Sequence, residues 1–288
     1  MAEASRRYMA ASSLLLLRLL LAIALVVPVG CGVREPAVLK VAVDAGFQPA
    51  LEALRPGFEA NCRCRLQITA GASGILYGQI RAGEGFDLFL SADSARPVLL
   101  EKAGLIVPSS RQIYARGQLA LWVSRQIATD KSSGYSVLAA TQAQDDSALT
   151  PRQLILLLGR GQHKLVVADP QLAPDGDAAV KMLKKLRLWP LLKTRMVYAG
   201  HAGHAQILLH QGEGQMGLIP YGQALASGNS GQFMRIPTYF YPPIEQQLVI
   251  LRSSRQRALA IRLLQYLHSE PVQKQISGLG FLGVKPAN

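Results

Sequence analysis

Two short turns carry residue types that could do chemistry: Asp44-Ala45-Gly46 and Gly71-Ala72-Ser73-Gly74, each set between an apolar run and a helical pattern. Free backbone N–H groups at a helix start, with the helix dipole behind them, make a site for a small anion, and glycine lets the backbone approach it closely. Taken alone, the same glycines also serve plain tight turns. Other chemistries lack their parts: there is no GxxxxGK(S/T) phosphate loop, no HExxH and no GxSxG elbow. Gly212-Glu213-Gly214-Gln215-Met216-Gly217 spells GxGxxG but leads into a strand instead of leaving one, which argues against dinucleotide binding. His201 and His204 could share a helical face, with His210 beyond, yet no cysteine lies near them and a zinc set is thin. No nucleophile, base and oxyanion set can be assembled, so the chain reads as a binder without catalytic or metal-ligating residues.

The elements that must position these turns follow from the pattern of apolar runs. From Val38 onward, short runs alternate with helical periodicity, which predicts an α/β fold with largely parallel sheet. Strand, turn and helix recur at Leu39–Val43, Leu66–Ile68 and Phe86–Leu90, so the two turns follow neighbouring parallel strands and open on one sheet edge, where ligands of α/β folds collect. The first helix should bend or end near Pro56-Gly57. Leu119–Val123 starts a second region with strands at Lys164–Ala168 and Met216–Ile219, helices at Ala178–Leu186 and His204–His210, and a polar, exposed stretch at Thr141–Ser147. Leu248–Leu251 reads as a return strand and Arg257–Leu267 as the last helix, so the middle of the chain forms its own domain inserted into one built from both ends.

A chain of 288 residues with 49% hydrophobic and 17% charged residues and a mean hydropathy of +0.17 excludes intrinsic disorder and can bury a large core. Its 31 lysines and arginines against 18 acids, a formal +13, favour anionic partners without choosing among nucleic acid, lipid and small solute. Residues 1–30 read as a targeting leader: Arg6 and Arg7 precede apolar runs that Arg18 interrupts, and Val29-Gly30-Cys31 closes the segment. Gly30-Cys31 resembles the lipobox of bacterial lipoproteins, which implies a lipid on Cys31. Cys62 and Cys64 sit at the start of a strand, where they would lie ~6.6 Å apart against the ~3.8 Å Cβ separation of a disulfide; they read as packing residues unless that segment is a loop.

Several motifs in order resemble the periplasmic molybdate-binding proteins of bacterial ABC importers. These are Gly71-Ala72-Ser73-Gly74 with Leu76-Tyr77-Gly78-Gln79-Ile80, Phe86-Asp87-Leu88-Phe89-Leu90-Ser91-Ala92-Asp93, Ala168-Asp169-Pro170 with Ala173-Pro174-Asp175-Gly176, Gly217-Leu218-Ile219, and Tyr241-Pro242-Pro243-Ile244-Glu245-Gln246. The resemblance covers nearly all of the chain after the leader. It implies a two-lobed periplasmic-binding-protein fold, each lobe a mostly parallel sheet flanked by helices and joined by crossing strands, with lobe 1 at 36–115 plus 246–288 and lobe 2 at 116–245. The implied ligand is a tetrahedral oxyanion, molybdate or tungstate, held without any cofactor. The implied partner is an ABC permease in the inner membrane, served by an extracytoplasmic monomer that has no nucleic-acid role. Closure would occur about the crossing strands near Arg116 and Gln246.

Carried over residue by residue, the family's ligand positions fall on Ser73, Gly46, Asp175, Gly203 and Tyr221. Ser73 matches cleanly. Gly46 replaces a family serine, leaving only an N–H and costing one to two powers of ten in affinity at ~1.5–3 kcal/mol per charge-assisted bond. Gly203 falls where the family has an Asn-Ile or Asp-Val pair. The family's tyrosine is either displaced by one to Tyr221 or replaced by Pro220. Asp175 is the sharpest departure, since a carboxylate ~4 Å from a unit negative charge costs on the order of 4 kcal/mol at an effective dielectric near 20. It must point outward, be protonated or mark another ligand. The alternatives are therefore the same fold with a cation, metal or polar organic solute, favoured also by Asp44, His201 and His204 near the cleft, or a tethered interaction protein without a transport ligand.

Overall fold

Apolar strands buried on both faces set the architecture of the computed structural model, which describes residues 35–129, 135, 150–160 and 162–284. The leader, Cys31 and the polar stretch at 141–147 lie outside the described residues. Three strand-turn-helix units open the fold: β1 Val38–Asp44, α1 Gln48–Cys62, β2 Arg65–Gly71, α2 Ser73–Arg81, β3 Leu88–Ser91 and α3 Ala95–Lys102. Next come β4 Gln112–Gly117, β5 Leu119–Ser124, α4 Arg125–Thr129, α5 Pro151–Gly159, β6 Leu165–Ala168, α6 Pro174–Lys185, α7 Trp189–Leu192, β7 Met196–Ala199 and α8 Ala202–His210. The chain closes with β8 Met216–Pro220, α9 Tyr221–Ala226, β9 Gly231–Arg235, β10 Ile244–Ile250, α10 Arg257–His268 and α11 Glu270–Gly278.

The strands form two five-stranded sheets, ordered β2-β1-β3-β10-β4 and β7-β6-β8-β5-β9. In each, three neighbours run parallel, while β10 opposes β3 and β4, and β5 opposes β8 and β9. Alternation along the strands feeds a core on either face. Leu39, Val41 and Val43 pack on Leu51, Leu54 and Phe58 of α1 and on Leu263 and Ile276 of the last two helices, while Ala42, Phe89 and Val249 turn to Leu76 and Ile80. In the second sheet Leu119, Leu121 and Val167 meet Leu154, Met182 and Leu183, and Trp122, Val166 and Ile219 meet Ala205 and Leu209. Burial of each large side chain contributes about 1.5–3 kcal/mol, and a one-residue slip would turn each set onto the wrong face.

Two strand continuations join the sheets: β4 runs into β5 through Gln118, and β9 returns to β10 through Ile236–Pro243. The crossing is tied by the Tyr241 hydroxyl, which accepts from Leu119 N–H at 3.0 Å, and by the Gln118 amide, which donates to the Gly280 carbonyl at 3.3 Å. Burial pushes the Tyr241 phenol up to about 12, so it remains protonated and able to hold that place. Arg116 and Leu282 exchange backbone hydrogen bonds of 2.9 and 2.8 Å, strapping the tail onto the same region.

Three sequence expectations are corrected here. The first helix does not end near Pro56-Gly57 but continues to Cys62, with Pro56 exposed while Leu51, Leu54 and Phe58 keep the buried face. Tyr266 clamps that stretch, its hydroxyl donating to the Leu54 carbonyl at 3.1 Å. Cys62 and Cys64 form a disulfide, because the segment is a turn and not a strand: Arg63 sits at φ 53° and brings the two Cα atoms to 5.2 Å. Finally, the helix ending at His268 is followed by another, Glu270–Gly278, whose Val272 and Ile276 complete the first core.

Candidate functional site

Parallel pairing of β1 with β2 places Asp44 opposite Gly71, so the two chemically suggestive turns leave the sheet side by side. The Ala45 N–H donates to the Gly71 carbonyl at 2.9 Å and locks them together. Ser73 begins α2 and is fully buried, with its hydroxyl accepting from the Ala92 N–H at 3.0 Å. That acceptance leaves the hydroxyl hydrogen to point elsewhere, and it points at Asp44.

The carboxylate of Asp44 fills the hollow between the turns. Its Oδ2 accepts from the Ser73 hydroxyl at 2.6 Å and the Ser73 N–H at 3.1 Å, and its Oδ1 accepts from the Gly46 N–H at 2.9 Å. Both donors expected of Ser73, and the N–H expected of Gly46, are thus made to a side chain of the protein itself. The absence of a Cβ at Gly46 permits this: a Cβ there would lie 3.2 Å from Asp44 Oδ1 and 3.2 Å from Pro220 Cγ. Asp44 is 2% exposed. Burial raises its pKa, the Ser73 and Gly46 bonds pull it down, and the charge of Asp93 raises it further.

The second sheet brings its own helix starts to this place. Asp175 stands in the first turn of α6, 5% exposed; neither carboxyl oxygen makes a well-formed hydrogen bond, and the nearby N–H groups of Asp175 and Gly176 offset its burial only in part. Burial, reinforced by the charge of Asp44, pushes its pKa up to about 7. Asp175 therefore does not point out to solvent, the simplest of the three expectations. Gly176 beside it lies flush against the Ala168 carbonyl, where a side chain would collide. Among the described residues neither Asp44 nor Asp175 has a cationic partner.

Gly203, in the first turn of α8, faces Ala45 across the interface, a Cβ on it falling 3.9 Å from the Ala45 Cβ. His201 caps that helix, its Nδ1 accepting from the His204 N–H at 3.1 Å, while His204 Nδ1 accepts from the Gly200 N–H at 3.1 Å. Each ring thus spends one nitrogen on holding the turn. Burial, then the neighbouring His204, lowers the pKa of His201. Among the described residues no group of three or more His, Cys, Asp or Glu could hold a metal ion. Tyr221 opens α9 and sets its ring edge-on to Phe233, 6.1 Å between centroids, within the cluster around Trp122; none of the bonds at Asp44 involves it.

Sequence reasoning missed Gln223 and Tyr114. The Gln223 amide of α9 donates to the Ala45 carbonyl at 2.6 Å, joining the second sheet's helices to the β1 turn, and its Oε1 is buried without a partner. The Tyr114 hydroxyl is buried and unpartnered, with its pKa held well above the ordinary value by burial and then by the charge of Asp44. No local motif marks either residue; only the pairing of β4 and the docking of α9 bring them near. Further bonds draw the two halves together: Gly74 N–H to the Leu172 carbonyl at 2.9 Å, and Arg96, ion-paired with Asp93, to the Gln171 carbonyl at 3.1 Å. Beside this closed contact an open groove of about 460 Å³ is lined by Asp93, Ser94, Asp177, Lys181, Pro243 and Glu245.

Two mixed sheets thus bring helix N-termini from both sides to one closed contact. Residues 39–282 match the bacterial extracellular solute-binding protein family. The chain is 30% identical over 263 residues to the molybdate-binding protein ModA of Azotobacter vinelandii, covering 89% of this chain and 96% of that one. It is 27% identical over 241 residues to ModA of Rhodobacter capsulatus, covering 84% and 86%. The solved periplasmic molybdate-binding protein of Azotobacter vinelandii superposes with a TM-score of 0.71 at 28% identity, over 86% of this chain and all (100%) of that one. With its fold and most of its length accounted for in this way, the chain belongs to the bacterial extracellular solute-binding protein family and is homologous to the ModA molybdate-binding proteins.

Proposed function

We propose that this chain is the extracytoplasmic solute-binding component of an ABC importer and that it takes a small tetrahedral oxyanion of the molybdate and tungstate class between two lobes, 36–115 with 246–288 and 116–245. The observation that carries this reading is the convergence of three donors, Gly46 N–H, Ser73 N–H and Ser73 O–H, on one anionic group at 2.6–3.1 Å. A hollow that holds one carboxylate by backbone and hydroxyl donors has the chemistry to hold another oxyanion. On this reading Gly203 would add an amide at the head of α8, and Tyr221, at the head of α9, would be the fifth ligand position. The basic surplus draws the anion in without touching it, which suits a protein that must release what it binds. Removal of the leader, a lipid on Cys31, delivery to a membrane permease as a monomer, and the absence of covalent chemistry complete the reading. Calorimetric titration with molybdate, tungstate and sulfate tests it: heat with the first two and little with sulfate is expected, and no heat with any at micromolar protein refutes it.

A second reading rests on a specific observation. The two oxygens of Asp175 and the Oε1 of Gln223 are buried acceptors in want of donors, a set that suits a cationic or donor-rich solute. Asp175→Ala separates the two readings, abolishing binding of a cation and leaving oxyanion affinity unchanged or tighter.

A further inference from the structure

The hollow that would receive a solute anion already contains one of the protein's own. Asp44 ends β1 with its side chain turned inward, and every donor at the two turns that a ligand would use is engaged by it: Gly46 N–H at 2.9 Å, Ser73 N–H at 3.1 Å and Ser73 O–H at 2.6 Å. The next donor along α2, Gly74 N–H, is taken by the Leu172 carbonyl. On the far side stands Asp175, buried and without a well-formed hydrogen bond, so a second anion added beside an ionised Asp44 would meet two carboxylates, with the Gly46, Ser73 and Gly74 donors already engaged. The arrangement is specific to this pairing of residues. It needs aspartate at position 44, and glycine at position 46 makes room for it, since a Cβ there would sit 3.2 Å from Asp44 Oδ1 and push the carboxylate aside by a few tenths of an ångström.

We propose that Asp44 is a resident anion of the cleft: its carboxylate occupies the cradle made by Gly46 and Ser73, and an oxyanion gains those donors only by displacing it. Asp44 is then a specificity-determining residue. It sets a threshold that weakly hydrogen-bonding anions fail to pass, and it lowers the affinity even for the anion that succeeds. The identity of the displacing anion rests on the oxyanion reading above; the occupancy of the cradle by Asp44 does not.

The test uses the full chain and its Asp44→Ala and Asp44→Asn variants. Removing the carboxylate leaves Gly46 and Ser73 in place, so Asp44→Ala should bind molybdate at least tenfold more tightly than the parent protein. Sodium formate, a minimal carboxylate, should raise the unfolding temperature of Asp44→Ala and leave that of the parent unmoved, by refilling the vacated cradle. Formate stabilisation of Asp44→Ala without binding of molybdate, tungstate or sulfate to either protein supports the resident anion and sinks the oxyanion reading. Equal molybdate affinity in parent and variant, or an Asp44→Ala protein indifferent to both formate and molybdate, overturns the proposal. If Asp44→Ala does not fold, Asp44→Asn decides: the neutral amide should yield the cradle more readily, and unchanged molybdate affinity in it overturns the proposal.

Discussion

Replacing Asp175 by asparagine should stabilise the protein at pH 8 and leave it about 1–3 kcal/mol less stable at pH 4, where the carboxyl is already neutral and only the cost of seating the amide remains. Burial, with the charge of Asp44 behind it, puts the Asp175 pKa at about 7 against an ordinary 3.8. The folded protein therefore keeps a proton between those values that the unfolded chain has lost. Stability falls as pH rises through this window and levels off above it. About three pKa units at 1.36 kcal/mol each give an upper bound of about 4 kcal/mol. An amide in the same place must find partners of its own, which costs about 1–3 kcal/mol, so a net gain of about 1–3 kcal/mol, or roughly 2–10 °C, is expected at pH 8. The groups whose charge or polarity acts on this pair are Asp93 after β3 and Tyr114 on β4. Asp44 has a raised pKa as well, so the measured slope belongs to both carboxyls together. Urea unfolding of the parent and Asp175→Asn at pH 4, 5.5, 7 and 8.5 measures it. A parent stability that is flat or rises from pH 5 to 8, or a variant with the parent's slope, refutes the reasoning.

Two further perturbations address the cradle and the closure. Gly46→Ser, which restores the hydroxyl of the family pattern, should cost about 1–3 kcal/mol in the parent by pressing on Asp44 and Pro220, and much less when combined with Asp44→Ala; a double-mutant cycle by chemical denaturation reads the coupling, and additivity within about 0.5 kcal/mol contradicts it. Gln223→Ala removes the 2.6 Å bond to the Ala45 carbonyl and should weaken solute binding severalfold while moving the unfolding temperature little; a larger loss of stability than of affinity, measured by calorimetry and thermal melts, would assign Gln223 to the scaffold.

Much of this architecture was legible because its strands are buried twice over. Runs such as Val41–Val43, Leu88–Leu90 and Leu119–Val123 have no polar side to hide, and the turns between them carry glycine where the chain must reverse. What escaped the sequence depends on contacts distant along the chain. Pro56 stops a helix judged by its own neighbours, yet Tyr266, far downstream, docks on that stretch and holds it. The Cys62–Cys64 bridge turned on one left-handed residue, Arg63, whose conformation no spacing rule encodes. Ser73 was legible as a donor from its place at a helix start. That its donors go to Asp44 was not, because the inward turn of that side chain depends jointly on the missing Cβ at Gly46 and on the Ala92 N–H that orients the Ser73 hydroxyl.

The strand order of the first sheet has a consequence for how the polypeptide is made. β10 lies between β3 and β4, so those two cannot be neighbours, and the sheet stays open until residues 244–250 have been synthesised. The second sheet has no such wait, since its five strands fall within 119–235, an uninterrupted stretch. A nascent chain thus completes its middle before its beginning, with Leu88–Ser91 exposing an unzipped edge in the interval. Vectorial growth from the N-terminus and the order of assembly run in opposite senses here, and the last helices to emerge are the ones that seal the first strand laid down.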